Sequence, residues 1–417
     1  MRRSPKVRVR GHGGLERGDL QYPLTLMAKR GKVWLKPGRD KKIRNAYPWV
    51  QKGEIRQVAD VEDGGLVTLL SVDNDPLGIA TYNSQARFPV RVLTREKEEI
   101  DAEFFRRRFT EAWSRREGLR AAGHTGIRAL YSEADFVPGL ILDIFDGHGV
   151  VQVRSLGMEN LREHWIAPMV DVFGLTSLLE KSDMAGRAEE GLDSRVEALH
   201  GNPPDSAQIV ENGLHFIAPI REGLKTGHYC DQRLARARLR DKVKPGDRVL
   251  DCFSYTGGFA LHSAAAGAQV LAVDILPLAL DTAGKNARLN SLTIDTLEAN
   301  AFEYLESLPE ETEKFDWIIL DPPAISKTKE TRDSLKWAVW KLVYHALPHL
   351  KPGGSLLVCT CSYQMGVTET LETCRLAAGD RGCVLMLDDI TLQDVDHPAP
   401  ISFPEALYLK GLWLRKV

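Results

Sequence analysis

The sequence predicts an α/β protein whose C-terminal half is a doubly wound, seven-stranded sheet with an antiparallel last strand. A small β-rich domain and an α+β middle domain precede that half. Three observations carry the prediction. From about residue 231, apolar strand-like runs alternate with helix patterns, the rhythm of a parallel sheet with crossover helices. The last two apolar runs, "CVLMLDDITL" (383–392) and "ALYLKGLWLRK" (406–416), are joined by a loop with no helix between them. Residues 31–94 hold short runs broken by Gly, Pro, Asn and Asp, as turns between short strands require.

Charge and cysteine usage narrow the function. Residues 1–56 hold 16 Lys and Arg against 4 Asp and Glu, while the whole chain of 417 residues carries a net −2. Such asymmetry points to a polyanion such as nucleic acid, with a solvated basic tail as the plain alternative. Six cysteines in a chain this long do not make a disulfide framework, so they read as free thiols in a reducing compartment. "MRRSPKVRVRGHGG" lacks the apolar core of a secretory signal, although an Arg-rich transit peptide stays open. No apolar run approaches the roughly 18–20 residues of a membrane span. The expected setting is cytoplasmic.

Taken in order, residues 1–30 are expected to be a basic, flexible extension. Residues 31–95 are the β-rich domain, with "LVTLLSV" (66–72) and "LGIATYN" (77–83) among its strands. Within it, Arg39, Lys41, Lys42 and Arg44 could pair with phosphates, and Tyr47 and Trp49 could stack on bases. For Trp49 taken alone, core packing is the favoured reading. Residues 96–222 form the middle domain. It opens with one amphipathic helix over 101–123 that extends the basic face, continues with a hairpin over 139–156 and a helix near 158–173, and closes with the strand 214–220. Residues 223–417 are the doubly wound domain. Its strands are expected at 248–253, 269–275, 293–300, 315–323, 355–361, 383–392 and 406–416.

Strand ends nominate the ligand, because open α/β sheets bind at the carboxyl ends of their strands. The first strand ends in "DCFSYTGGF", where Gly257 and Gly258 open a helix; the spacing is not the Gly-x-Gly-x-x-Gly that cradles a pyrophosphate. An amino-acid-tailed nucleoside such as S-adenosylmethionine needs no phosphate cradle. Asp274 ends the second strand, 23 residues after Asp251, and can accept both ribose hydroxyls. Asn300 and Phe302 are expected to end the third strand, where an amide reads the adenine edge and a ring packs on its face. A terminal antiparallel pair is the layout of class I methyltransferases. Strand-end capping is the bland reading of each residue alone.

Asp321–Pro322–Pro323 ends the fourth strand and directs a carboxylate and carbonyls into the same crevice. The following strand ends in "VCTC". Period two puts Cys359 and Cys361 on one face, with Cys361 nearer the carboxyl end. Their neighbourhood lacks the roughly four ligands a metal site wants. Cys359 reads as packing. Cys361 has a chemical use: carbon 5 of a pyrimidine is a poor nucleophile until a thiolate adds at carbon 6. That thiolate calls for a pKa lowered by a basic neighbour or a sulfonium, and Asp321 could carry charge developing on the ring.

"LDCFSYTGGFALHSAAAGA", "LKTGHYCDQR" (224–233), "LDPP", "TCSYQM" and "DHPAPISFPEALYLKG" (396–411) resemble the RNA cytosine-C5 methyltransferases that carry an N-terminal PUA domain. The resemblance covers about residues 31–417. It implies a PUA domain for RNA and a Rossmann-like catalytic domain. It also implies S-adenosylmethionine as donor, ribosomal RNA of the large subunit as substrate, and a homodimer. The family nucleophile falls on Cys361, and "DQR" falls on Asp231, Gln232 and Arg233 beside the cofactor. The cofactor set implied is Gln232, Arg233, Asp251, Phe253, Ser254, Tyr255, Thr256, Gly257, Asp274, Ile275, Asn300, Ala301, Phe302, Asp321 and Pro322. Asn300 stands where the family has Asp, and Ala324 and Ile325 replace a cation and an aromatic. Two other readings remain: methylation of a base nitrogen without a cysteine, and a non-catalytic RNA-binding assembly factor. A dinucleotide oxidoreductase is disfavoured by the missing glycine fingerprint.

Overall fold

The computed structural model describes residues 30–312, 314–323 and 330–417, with side chains of the last stretch from residue 333. Residues 1–29 of the basic extension, and Ala324 and Ile325, lie outside the described residues. Among the described residues, no helix is long and apolar enough to cross a membrane.

Six short strands between Gly31 and Thr94 form one sheet around Val33, Leu35, Val67, Leu69 and Val90. Burial alternates along Gly31–Leu35, as period two demands of a sheet with one solvated face. Tyr47, offered for stacking on bases, and Trp49, for which packing is the favoured reading, are both used for packing between domains. Trp49 stacks on Phe88 at 4.2 Å and meets the Phe403 ring edge-on at 4.6 Å. Its indole N–H donates to Glu133, and the Tyr47 hydroxyl donates to Glu405. Their rings are therefore spent on the second and third domains. Lys42 pairs with Glu54, and Arg44 with Asp40 and Asp75, while Arg39 and Lys41 are exposed.

The middle domain is a five-stranded sheet covered by helices Ala102–Ser114 and Arg162–Phe173. The single helix expected over 101–123 is broken. Asp101 caps its start by accepting from the Phe104 N–H at 2.9 Å, but the chain leaves the helix at Arg115–Arg116 and re-enters at Glu117–Ala121. Arg116 is the reason. Its guanidinium is fully buried and must find several acceptors. It donates to both carboxylate oxygens of Asp135 and to the Asp396 carbonyl. Nor is the helix a bare basic face, since Arg106, Arg107, Arg108 and Arg115 pair with Asp171, Glu98, Glu111 and Asp135. The helix expected near 158–173 is likewise two, Leu156–Asn160 and Arg162–Phe173. Strand Leu214–Ala218 does not close this sheet. Among the described residues it pairs with Ala207–Glu211 alone, and Ile209 and Phe216 bury in one cluster with Phe145 and with Leu261 of the third domain.

Among the described residues the third domain has seven strands: β1 (Arg248–Cys252), β2 (Gln269–Asp274), β3 (Asp295–Glu298), β4 (Phe315–Leu320), β5 (Leu350–Cys361), β6 (Leu385–Leu392) and β7 (Leu409–Lys416). Their order is β3-β2-β1-β4-β5-β7-β6, with β7 antiparallel to both neighbours. The helices are α1 (Arg233–Lys242), α2 (Gly258–Ala265), α3 (Pro277–Leu289), α4 (Ala301–Ser307), α5 (Glu330–Ala346) and α6 (Val367–Asp380). The strand order reverses between β1 and β4, which opens a crevice there. β4 stops at Leu320 because Pro322 and Pro323 have no N–H for a ladder. β5 is longer than expected and runs through Lys351–Gly354, its register against β4 shifting between Phe315 and Trp317. β3 is shorter than expected and ends at Glu298. Asn300 and Phe302 therefore belong to the start of α4, not to a strand end: Asn300 is its cap, accepting from the Phe302 N–H at 3.0 Å.

The loop from β6 to β7 returns across the other two domains. In it, Asp396 is fully buried and accepts from Arg233 at 3.0 Å, from the Arg128 N–H at 3.0 Å and from His397 at 2.8 Å. Removing one partner of a buried ionic network leaves an uncompensated charge, so Asp396→Ala is expected to cost about 3–5 kcal/mol. Urea denaturation of wild type and variant measures this.

Candidate active site

The crevice at the strand ends is a cleft of about 380 Å³, within the range of small-molecule sites. Backbone builds one half of it. Between β1 and α2, Phe253 (φ 65°), Tyr255 (φ 50°) and Gly257 (φ 86°) are all left-handed. Such strain persists only where the surroundings hold it. Here Asp274 holds it: one carboxylate oxygen accepts from the Tyr255 N–H at 2.8 Å and the other from Leu276 N–H at 2.9 Å. A side chain at Gly257 would come within 2.7 Å of Leu261 and 3.0 Å of Ala283. Ile275, Ala301, Phe302 and Pro322 supply apolar walls, and Phe253 meets the Phe302 ring at 5.6 Å and 71°.

Side chains build the other half. Asp231, Gln232, Asp321 and Cys361 line it together with Lys225, Tyr229 and Leu409. The Cys361 thiol points at the Pro322 carbonyl, 3.8 Å away. Burial, and then the charge of Asp231, push the Asp321 carboxyl up to about 7, against a hydrogen bond from Gln232 and the charges of Arg236 and Lys225. Burial and then Asp321 push the Cys361 thiol up to about 11, with Lys225 opposing. The protein groups around the thiol thus raise it instead of lowering it: desolvation penalises the thiolate more than the nearby cation favours it. Lys410, on β7 beside β5, donates to the Ser362 and Tyr408 carbonyls, and burial brings its amine down to about 8. Cys359 is fully buried among Leu357, Ala260 and Trp413 and does not reach the cleft. Among the described residues, no group of His, Cys, Asp and Glu could hold a metal ion.

Most sequence-nominated residues converge here: Gln232, Phe253 to Thr256, Asp274, Ile275, Asn300 to Phe302, Asp321, Pro322 and Cys361 all line the cleft. Three do not. Arg233 is buried in ion pairs with Asp394 and Asp396, because its side chain leaves α1 on the side of the β6–β7 loop. Asp251 lies beneath the β1–α2 loop, accepting from the Ala260 N–H at 2.9 Å. Burial pushes its carboxyl up to about 7. Gly257 shapes the loop rather than lining the cleft. The residues that sequence reasoning passed over are Lys225, Tyr229 and Arg236. The first two sit inside "LKTGHYCDQR", of which only the last three residues were weighed.

S-adenosylmethionine fits this cleft on the structure's own terms. Ser254, Gln232 and Asp231 put buried polar side chains on the cleft wall, where a polar ligand can meet them. They stand beside an apolar slot and a carboxylate, Asp274, that can take a diol.

The signature of the S-adenosylmethionine-dependent methyltransferase family matches residues 186–402, and that of a PUA-like domain matches residues 33–95. A protein of Vibrio cholerae named ribosomal RNA large subunit methyltransferase I is 35% identical over 388 residues, covering 91% of this chain and 98% of its own. A protein of the same name from Shewanella amazonensis is 36% identical over 392 residues, covering 92% and 99%. The chain belongs to the S-adenosylmethionine-dependent ribosomal RNA large subunit methyltransferase I family. Solved structures agree on the fold. A candidate methyltransferase from Streptococcus mutans superposes with a TM-score of 0.80 at 20% identity, covering 92% of this chain and 99% of that one. Another, complexed with S-adenosylhomocysteine, gives 0.80 at 21% identity with the same coverage. S-adenosylmethionine is therefore the cofactor of this methyltransferase. Loss of the Asp274 carboxylate removes hydrogen bonds worth about 1.5–3 kcal/mol to a charged acceptor, so Asp274→Ala is expected to weaken S-adenosylmethionine binding by about 10–100-fold in calorimetry.

Proposed function

We propose that this methyltransferase converts a cytosine of 23S ribosomal RNA to 5-methylcytosine through a covalent adduct between Cys361 and carbon 6. The observation that carries the reading is a thiol at the end of β5 in one cleft with the Asp321 carboxyl, 3.8 Å from the Pro322 carbonyl. The relatives' name supports ribosomal RNA as the substrate. The PUA-like domain supports RNA contact, with the exposed Arg39 and Lys41 offered to phosphate. The target base has to leave its stack to enter the cleft. Bound S-adenosylmethionine supplies the methyl group, and its sulfonium charge favours an anion nearby. Cys361 adds to carbon 6 as the thiolate. Protonated Asp321 donates to ring nitrogen 3 and so neutralises the charge the addition pushes onto the ring. A cytoplasmic homodimer is the assembly the family resemblance suggests.

Cys361→Ala is expected to abolish methylation, while Cys359→Ala keeps turnover at the cost of a small core cavity. Bisulfite sequencing of ribosomal RNA from cells carrying each variant reads both. Normal methylation by Cys361→Ala would favour transfer to a base nitrogen instead.

The pH dependence follows from the two groups. The rate depends on ionised Cys361 and protonated Asp321. Below about 7 it rises with pH as the thiolate fraction grows. Between about 7 and about 11 the loss of protonated Asp321 cancels that gain, and the rate levels off. Asp321→Asn cannot titrate. Its single-turnover rate is expected to be lower by about 10²–10⁴ and to keep rising with pH above 7.

A further inference from the structure

A carbon-5 methylation leaves one task unassigned: a base must take the carbon-5 proton before the thiol can depart. We propose that Asp231 is that base. The inference rests on the carbon-5 reading above.

Geometry singles Asp231 out. Its carboxylate lines the cleft with Cys361 and Asp321 and is 7% exposed. One oxygen, Oδ2, accepts from the Tyr408 hydroxyl on the β6–β7 loop. The other, Oδ1, is buried with no hydrogen-bond partner. The backbone is pinned as well, since the Asp231 carbonyl accepts from Asp394 N–H at 3.0 Å. A carboxylate that served only structure would be expected to take the neighbouring cation. Arg233 instead pairs with Asp394 and Asp396, which leaves Asp231 Oδ1 unpaired. The other acids of the cleft are committed: both oxygens of Asp274 hold backbone N–H groups, and Asp321 is placed as the acid at the ring nitrogen.

Electrostatics agrees with this division. Burial would raise the Asp231 carboxyl, but His397, Lys225, the Tyr408 hydroxyl and Arg128 outweigh it and hold it below the ordinary carboxylate range. Asp231 in turn raises Asp321. Two neighbouring carboxyls pushed in opposite directions make one base and one acid. The groups facing Asp231 are thus Tyr408, His397, Lys225, Arg128, Asp321, Tyr229, Tyr131 and Cys361.

The steps balance. The Cys361 sulfur forms a bond to carbon 6, and the π pair moves toward the ring nitrogen that Asp321 protonates. Carbon 5 gains the methyl group, and the donor leaves as S-adenosylhomocysteine. Asp231 removes the carbon-5 proton, that C–H pair rebuilds the 5,6 double bond, and the carbon 6–sulfur bond breaks with its pair returning to sulfur. The ring proton returns to Asp321, and Asp231 passes its proton to water.

Asp231→Asn separates adduct formation from release and keeps an oxygen to accept from Tyr408. With 23S ribosomal RNA transcribed in vitro and methyl-labelled S-adenosylmethionine, the variant is expected to accumulate a methylated protein–RNA complex on denaturing gels. Turnover should fall by about 10²–10⁴. With unlabelled S-adenosylmethionine present, wild type should release tritium from carbon-5-labelled cytosine as it methylates, and the variant should not. Asp231→Asn combined with Cys361→Ala should form no complex. Product release at the wild-type rate, or no complex from a variant that still binds S-adenosylmethionine, would overturn the assignment while leaving Cys361 in place. Full activity of Cys361→Ala would instead remove the carbon-5 reading itself. Tyr408→Phe tests the same point without touching Asp231: loss of the donor raises the carboxyl, so the acid limb of adduct breakdown should move to higher pH. An unmoved limb would also overturn it.

Discussion

The cleft depends on one buried carboxylate. Asp396 draws together Arg233 at the start of α1, the Arg128 backbone in the middle sheet and, through its carbonyl, Arg116 between two middle-domain helices. A carboxylate taken out of water is costly unless several donors meet it. Here the donors come from two domains, so the cost is offset only when those domains are docked. Arg233 follows Asp231 and Gln232 directly. Fixing its guanidinium fixes where those two side chains enter the cleft.

Desolvation acts again inside the cleft, and there it sets chemistry rather than stability. It raises both the Asp321 carboxyl and the Cys361 thiol. For the carboxyl this yields an acid still protonated near neutrality. For the thiol it yields a group that stays neutral until positive charge approaches. Lys225 is the cation lining the cleft that already favours the thiolate. The arrangement suits a reaction in which nucleophile and donor must be present together.

Much of the architecture was legible in the sequence because each domain has its own period. The strand–helix alternation after residue 231, the terminal antiparallel pair and the Asp-Pro-Pro stop are local patterns, and all three are in the fold. Failures came where a side chain's partners lie far along the chain. The helix over 101–123 breaks because Arg116 reaches Asp135 and Asp396, the latter 280 residues away. Tyr47 looked available to a base because Glu405, which takes its hydroxyl, is 358 residues distant.

By itself the sequence determined the fold class, the cofactor and the cleft's outline from strand ends, since those follow from periodicity and from which residue types stop a strand. It also ranked Cys361 over Cys359 by position along one strand. Only the tertiary structure decided which member of "DQR" faces the ligand. Arg233 turns away into buried ion pairs, while Asp231 and Gln232 turn in. Helical phase at the start of α1 could suggest that split. What settles it is the burial of Asp394 and Asp396 on one side, because an ionised carboxylate in the interior requires the nearest guanidinium.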